Sequence, residues 1–148
     1  MKHLYILALA LVISVKGLAQ IETPVKWSYA AKKLNSTEAI IFVKATIKND
    51  WHIYSMNQKD GGPVKTSITF SPSKDYIIEG KLSEPAPIAK FEKVFNMNVK
   101  YFEKSVIFQQ KIKLKKSQTV VNGNLEFMAC NNLKCLPPED LNFTVTIK

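Results

Sequence analysis

The chain has 148 residues and a formal net charge of +9, and all 21 of its basic residues are lysines. Arginine supplies most bidentate contacts to guanine and phosphate in nucleic-acid complexes, so a lysine-only chain without a nucleic-acid motif is not expected to bind nucleic acid. The charge instead predicts a solvated surface with some preference for acidic partners or anionic lipid.

The N-terminus has the organisation of a secretory signal peptide. Lys2 gives a basic start, an apolar run extends from Leu4 to Val15, and small residues precede a cleavage point before Gln20. This apolar run is too short to span a bilayer of about 30 Å. We therefore predict a signal peptide over residues 1–19, a single domain over residues 20–148, and a periplasmic or secreted protein.

Further along the chain, regular segments alternate apolar and polar residues, which is typical of strands with one buried face. No stretch keeps a helical period for three turns. Seven to nine short strands at this spacing predict an all-β protein, an immunoglobulin-like antiparallel β-sandwich. The strand candidates are residues 25–33, 39–48, 52–55, 66–70, 76–81, 105–114, 120–128 and 142–147, and turn signals lie at 49–50, 60–63, 71–73 and 122–124.

His52 is the only histidine after the predicted signal peptide. On an alternating strand His52 and Tyr54 share one face, and Trp51 and Ile53 share the other. If Trp51 and Ile53 are buried, His52 and Tyr54 should be the accessible pair. Proton handling is then one candidate role for His52, beside an ordinary hydrogen-bonded surface position.

Residues 83–102 form a connection that does not fit a plain sandwich. Prolines open it, large apolar and aromatic residues follow, and long loops in compact domains are usually functional. Phe95 in this segment could pack over a reactive disulfide as a cover. The alternative is that the aromatic residues seal one end of the core; these are Phe91, Phe95, Tyr101 and Phe102.

Cys130 and Cys135 are the only cysteines of the chain. A disulfide closing so short a loop gains only about 2 kcal/mol from chain entropy, which suits exchange better than bracing, although small exported domains also use purely structural disulfides. Cys135 is the better candidate for the exposed member; Lys134 would favour its thiolate and Glu139 would oppose it. Pro137 and the proline after it stiffen the exit from the site.

One alternative function is an immunoglobulin-like binding module whose disulfide is purely structural. A second is a copper-handling periplasmic domain with a soft copper site. Its ligands would be His52, the two cysteines and three methionines, Met56, Met97 and Met128. The Cys-x4-Cys spacing matches neither a zinc ribbon nor a copper chaperone, and methionine more often fills gaps in cores. We therefore expect no metal and no other cofactor.

Taken together, these residues resemble the N-terminal periplasmic domain of the thiol:disulfide interchange protein DsbD. The resemblance rests on the cysteine pair followed by Leu-Pro-Pro-Glu, with support from residues 51–55 and 91–96. It implies an immunoglobulin-like sandwich in which Cys135 forms mixed disulfides with partners and Cys130 resolves them. It also implies that Phe95 belongs to a cap loop that shields the disulfide.

The resemblance further implies a function. A domain of this kind is a periplasmic thiol:disulfide oxidoreductase component, which passes electrons between thioredoxin-like proteins through mixed disulfides. A membrane electron carrier would then be a separate chain, and we expect a monomer. The sequence departs from the better-known members where His52 replaces a tyrosine and where Glu92-Lys93-Val94 replaces an acidic segment.

Overall fold

The structure is a computed structural model that describes residues 22–148, so the predicted signal peptide lies outside the described residues. This part of the chain forms eleven strands, and it has no helix long and apolar enough to cross a membrane. The strands are β1 (Val25–Lys33), β2 (Glu38–Ile47), β3 (His52–Tyr54), β4 (Ser67–Phe70), β5 (Tyr76–Ser83), β6 (Ile88–Glu92), β7 (Met97–Glu103), β8 (Ser105–Leu114), β9 (Thr119–Phe127), β10 (Ala129–Cys130) and β11 (Glu139–Ile147).

All strand pairs are antiparallel, and they form three sheets. The first sheet has the order β1-β2-β8-β5, the second β10-β3-β7-β6 and the third β11-β9-β4. The apolar faces of the first and third sheets meet in one main core. The predicted all-β, immunoglobulin-like sandwich is confirmed.

The main core follows from strict alternation in the long strands. Along β2 and β8 every second residue is buried, as at Ile41, Val43 and Phe108, and β9 adds Val121 and Leu125 from the third sheet. Burying a side chain of this size is worth about 1.5–3 kcal/mol. Because a slip of one residue would turn these side chains to solvent, the pattern determines the register of the strands.

Two predictions about local structure were wrong. Residues 83–102 form mainly a hairpin of β6 and β7 with a tip at 93–96, and not a long loop. The sequence did not show this because the edge strand β6 is exposed along almost its whole length and has no alternation. The turn signal at 122–124 lies inside β9. Gly123 is needed there since a Cβ would lie 2.3 Å from Cζ of Phe143 and 2.6 Å from the carbonyl oxygen of Thr69.

The second sheet positions the candidate site because both of its faces are covered near β3. Ile53 faces the main core, whereas Tyr54 belongs to a second, smaller cluster with Val99, Tyr101 and Cys130. The expectation that Tyr54 would be accessible is therefore wrong: only 2% of its surface is exposed. Alternation placed Tyr54 on the face opposite the main core, but it could not show that this face is covered as well.

Candidate functional site

The two cysteines form a disulfide at the end of β10. Cys130 pairs across a single β-bridge with Cys135, and their α-carbons are 4.0 Å apart. Cys130 is buried, with 2% of its surface exposed, whereas Cys135 is exposed. The disulfide therefore presents one sulfur-bearing residue to solvent and keeps the other in the interior.

Asn131 organises the loop between the cysteines. Its side-chain oxygen accepts hydrogen bonds from the backbone amides of Leu133 and Lys134, both at 2.8 Å. The backbone amide of Asn131 donates to the carbonyl oxygen of Lys134, also at 2.8 Å. Asparagine commonly closes turns in this way. Asn131 was not among the predicted site residues, although an asparagine directly after the first cysteine is a recognisable turn signal.

The residues that follow the loop lead away from the disulfide. The Leu136 amide donates to the carbonyl oxygen of Ala129 at 2.9 Å, which closes the base of the loop. Pro137 is exposed, and Glu139 starts β11 opposite Phe127. Neither Pro137 nor Glu139 is among the described residues that line the pocket beside the disulfide.

This open pocket has a volume of about 230 Å³ and brings three of the predicted site residues, His52, Tyr54 and Phe95, beside the two cysteines. Strand β3 contributes two of the residues that line the pocket, the β6–β7 hairpin contributes four, and the two cysteines with the loop between them contribute the others. The lining residues are His52, Tyr54, Lys90, Glu92, Val94, Phe95 and residues 130–135. An incoming chain could reach the exposed cysteine here, beside an aromatic wall.

Phe95 lies in the tip of the hairpin and packs on the second cluster. Its ring is 6.4 Å from that of Tyr54, nearly perpendicular to it. The tip turns back at Asn96, which has a left-handed φ of 49° that asparagine tolerates. Phe95 is partly buried against the cluster that contains Cys130, so it does not belong to the main core.

The other aromatic residues that were expected to seal the core together have separate positions. Phe102 is buried in the main core, Tyr101 is buried in the second cluster, and Phe91 is 52% exposed. The four rings therefore do not form one plug.

His52 lies at the inner wall of the pocket. Its Nε2 is 3.2 Å from the hydroxyl oxygen of Tyr54, and its ring centroid is 4.9 Å from that of Tyr101. Burial lowers the pKa of His52, against an opposing effect of the nearby carboxylates of Glu92 and Glu103. The imidazole is consequently neutral at pH 7 and can accept a proton.

Tyr54 supports this arrangement. Burial, followed by the charge of Glu92, raises the pKa of Tyr54 to about 12. Its hydroxyl therefore stays protonated and uncharged at any physiological pH, and its oxygen can accept the hydrogen carried by Nε2 of His52.

The mouth of the pocket carries exposed apolar side chains on both sides. Val94 in the hairpin tip is 86% exposed, and Leu133 in the disulfide loop is 93% exposed. Charged groups surround them: Lys90 pairs with Glu92 at 3.4 Å, and Lys134 pairs with Glu22. Lys134 thus has a carboxylate partner on its flank.

The three methionines of the copper alternative are divided between two parts of the fold. Met56 packs against the main core, whereas Met97 and Met128 pack against the second cluster. Both cysteine sulfurs are bonded to each other. Among residues 22–148 no group of three or more His, Cys, Asp or Glu side chains is placed to hold a metal ion.

Solved structures of three bacterial protein domains have a similar fold. The reduced DsbD N-terminal domain of Neisseria meningitidis matches with a TM-score of 0.54 and 14% identity, over 82% of this chain and 90% of that chain. A chain from the complex between the DsbD N-terminal and PilB N-terminal domains of the same organism gives 0.56 and 14%, over 84% and 87%. At these identities the likeness shows the fold alone.

The N-terminal periplasmic domain of ScsB from Proteus mirabilis matches with a TM-score of 0.55 and 21% identity, over 83% of this chain and 49% of that chain. No curated protein matches this sequence significantly. The family model described as the N-terminal domain of the thiol:disulfide interchange protein DsbD matches residues 21–147, nearly the whole of the described chain. The chain therefore belongs to the family of DsbD N-terminal domains.

Proposed function

We propose that this domain is a thiol:disulfide exchange module that shuttles electrons between thioredoxin-like partners through Cys130 and Cys135. One observation carries the proposal: the disulfide lies in a pocket, with Cys135 exposed and Cys130 buried. Exchange requires access to one sulfur and protection of the other, because the buried thiol must wait to resolve the mixed disulfide. A disulfide that serves only as a brace has no need of this asymmetry.

Electrons enter when a partner thiolate attacks Sγ of Cys135. The S–S bond breaks, Cys130 leaves as a thiolate that takes up a proton, and a mixed disulfide joins Cys135 to the partner. A second partner thiolate then attacks the partner's own sulfur and releases the Cys135 thiolate. Two electrons have moved, so this domain holds a dithiol and the partner holds a disulfide.

Electrons leave by the reverse sequence. The Cys135 thiolate attacks a partner disulfide, one partner sulfur leaves as a thiolate, and Cys130 then attacks Sγ of Cys135. This last step expels the partner as a dithiol and restores the disulfide. The reaction needs neither a metal nor an organic cofactor.

Phe95 serves in this scheme as the cap of the disulfide. Its ring packs on the cluster that includes Cys130 and forms one wall of the pocket. The ring excludes water and foreign small thiols from the buried sulfur. The exposed Val94 and Leu133 provide apolar contact for a partner at the mouth.

The compartment and partners are part of the same proposal. Residues 1–19 act as a signal peptide and deliver residues 20–148 to the periplasm as a monomer. A relative has been solved as a complex with the PilB N-terminal domain, which supports a protein as the partner. A membrane electron carrier on a separate chain would supply or drain the electrons.

Equilibration with thioredoxin redox couples tests the proposal. The reduction potential of the pair should lie well above the roughly −300 mV typical of structural disulfides, and the reduced domain should remain folded because neither cysteine belongs to the main core. A potential below that value, with unfolding on reduction, would instead assign a structural disulfide in an immunoglobulin-like binding module.

Trapping distinguishes the roles of the two cysteines. The Cys130→Ala variant should accumulate a stable mixed disulfide between Cys135 and a thioredoxin-like protein, because the resolving thiol is missing. Cys135→Ala is the matched control, and it should trap little since the remaining thiol is buried. Preferential trapping by Cys135→Ala would show that the roles are reversed.

A further inference from the structure

Three residues form a row across the second sheet. In the register of this sheet, Cys130 of β10 lies opposite His52 of β3, and His52 lies opposite Glu103 of β7. In antiparallel pairs, side chains of directly opposite residues lie on the same face, with Cβ atoms about 4.5–5.5 Å apart. A thiol, an imidazole and a carboxylate are therefore neighbours, in that order, across the three adjacent strands β10, β3 and β7.

The row runs from the interior to the solvent. Cys130 is buried, His52 is half-buried and Glu103 is exposed. His52 lines the disulfide pocket on one side, and together with Glu103 it lines a second surface recess on the other. The imidazole thus connects the buried sulfur atom with the exterior.

We propose that His52 is the proton acceptor and donor for Cys130 during exchange, and that Glu103 is a positioning residue for its imidazole. The inference rests on the proposed exchange function and assigns a residue to its proton transfer. A buried thiol needs such a group because only the thiolate attacks a disulfide, and burial in apolar surroundings opposes formation of the thiolate.

The proton balance is as follows in the resolving step. The imidazole of His52 takes the proton of the Cys130 thiol, the Cys130 sulfur attacks Sγ of Cys135, and the partner sulfur leaves as a thiolate. In the opposite direction Cys130 leaves as a thiolate and recovers the proton from the imidazolium. In the neutral tautomer that acts as the base, Nε2 carries the ring hydrogen and donates it to the hydroxyl oxygen of Tyr54, so the unprotonated Nδ1 is the nitrogen that exchanges the proton.

The charged surroundings of His52 are mixed in sign. Burial lowers its pKa, the two carboxylates raise it and Lys90 lowers it further, so the ring is a neutral base at pH 7. The titratable and charged groups on the strands and loops around the ring are Tyr54, Tyr101, Glu103, Lys90, Glu92, Cys130, Lys134, Cys135, Lys48, Asp50 and Lys104.

A two-phase thiol reaction tests the inference. The reduced domain reacts with the aromatic disulfide DTNB: the Cys135 thiolate releases a first thionitrobenzoate, and Cys130 then attacks the mixed disulfide and releases a second. Rapid-mixing absorbance measurements separate the two phases. The second phase reports the resolving step alone, and the first phase serves as an internal control.

His52→Gln and His52→Phe are the two variants to compare with the wild type. Both remove the base, while phenylalanine keeps a ring to pack on Tyr101. We expect the second phase to slow roughly 30-fold at pH 7 in both variants, since a thiol of pKa about 8.5 is only about 3% ionised there. The first phase should be unchanged.

The pH profiles provide an independent readout. In the wild type the second phase should rise through the pKa of His52, below 6.5, and level off near neutral pH. In both variants it should keep rising about tenfold per pH unit up to the thiol pKa. Glu103→Gln should move the wild-type midpoint to lower pH, because this carboxylate raises the pKa of His52.

Each contrary result has a separate meaning. Absence of a second release from the wild type would refute the exchange function itself. A second phase with wild-type rate and pH profile in both variants would refute only the role of His52. A wild-type second phase in His52→Phe but not in His52→Gln would show that His52 acts through ring packing and not through proton transfer. Equal slowing of both phases in the variants would show the same, and either result would overturn the inference.

Discussion

Truncation of Phe95 to alanine separates a cap from a core residue. A fully buried phenylalanine costs about 3–5 kcal/mol on truncation. Phe95 is only partly buried at the tip of a hairpin, and it packs on a small cluster. We therefore expect a loss of about 1–1.5 kcal/mol in the free energy of unfolding, roughly half of what full burial of such a ring is worth.

The same truncation should open the disulfide pocket. Phe95 forms part of its wall, so the alanine variant exposes the sulfur atoms to small reagents. We expect the reduced pair to react several times faster with a small oxidant, measured as loss of free thiol with time. Chemical denaturation of the same variant gives the stability.

Two other phenylalanines of the second sheet are matched controls. Phe91 lies in the same hairpin but is half exposed and does not line the pocket, so Phe91→Ala should change neither quantity appreciably. Phe102 is buried in the main core, and Phe102→Ala should cost the full 3–5 kcal/mol without faster oxidation. If Phe95→Ala behaved like Phe102→Ala, the cap assignment would be refuted.

Two further predictions concern stability. Gly123→Ala should destabilise the domain by more than about 2 kcal/mol in denaturant unfolding, since its Cβ would meet the Phe143 ring and the Thr69 carbonyl; a neutral effect would show that β9 can shift. As pH falls below about 6.5, wild type should lose stability relative to His52→Gln, because the unfolded histidine binds a proton that the folded one resists. A constant difference across pH 5–7 would contradict the lowered pKa.

Sequence alone predicted the strands whose two faces differ in environment. Strands β1, β2 and β8 alternate clearly, and the predicted bounds agree with the structure to within a residue. Strand β6 was not predicted because it is an exposed edge strand, and β10 was not predicted because it has only two residues. A pattern based on burial carries no signal in either case.

The candidate site was predictable as a list of residues but not as an arrangement. The cysteine pair and Phe95 were identified from their sequence context, and the structure places them around one pocket. The register of Cys130 opposite His52 could not be predicted, because these residues are far apart in the chain and only the folded sheet pairs them. The burial of Tyr54 likewise depends on where the folded β6–β7 hairpin places its tip, which the sequence does not show.

The division of the apolar interior into two clusters has an evolutionary consequence. The large cluster holds the sandwich together and contains neither cysteine, whereas the small one contains Cys130 and meets the hairpin tip. Substitutions that adjust recognition or redox chemistry can therefore accumulate in the small cluster at modest expense to foldability. Such insulation would let related domains diverge in the proteins they serve while inheriting an unchanged scaffold.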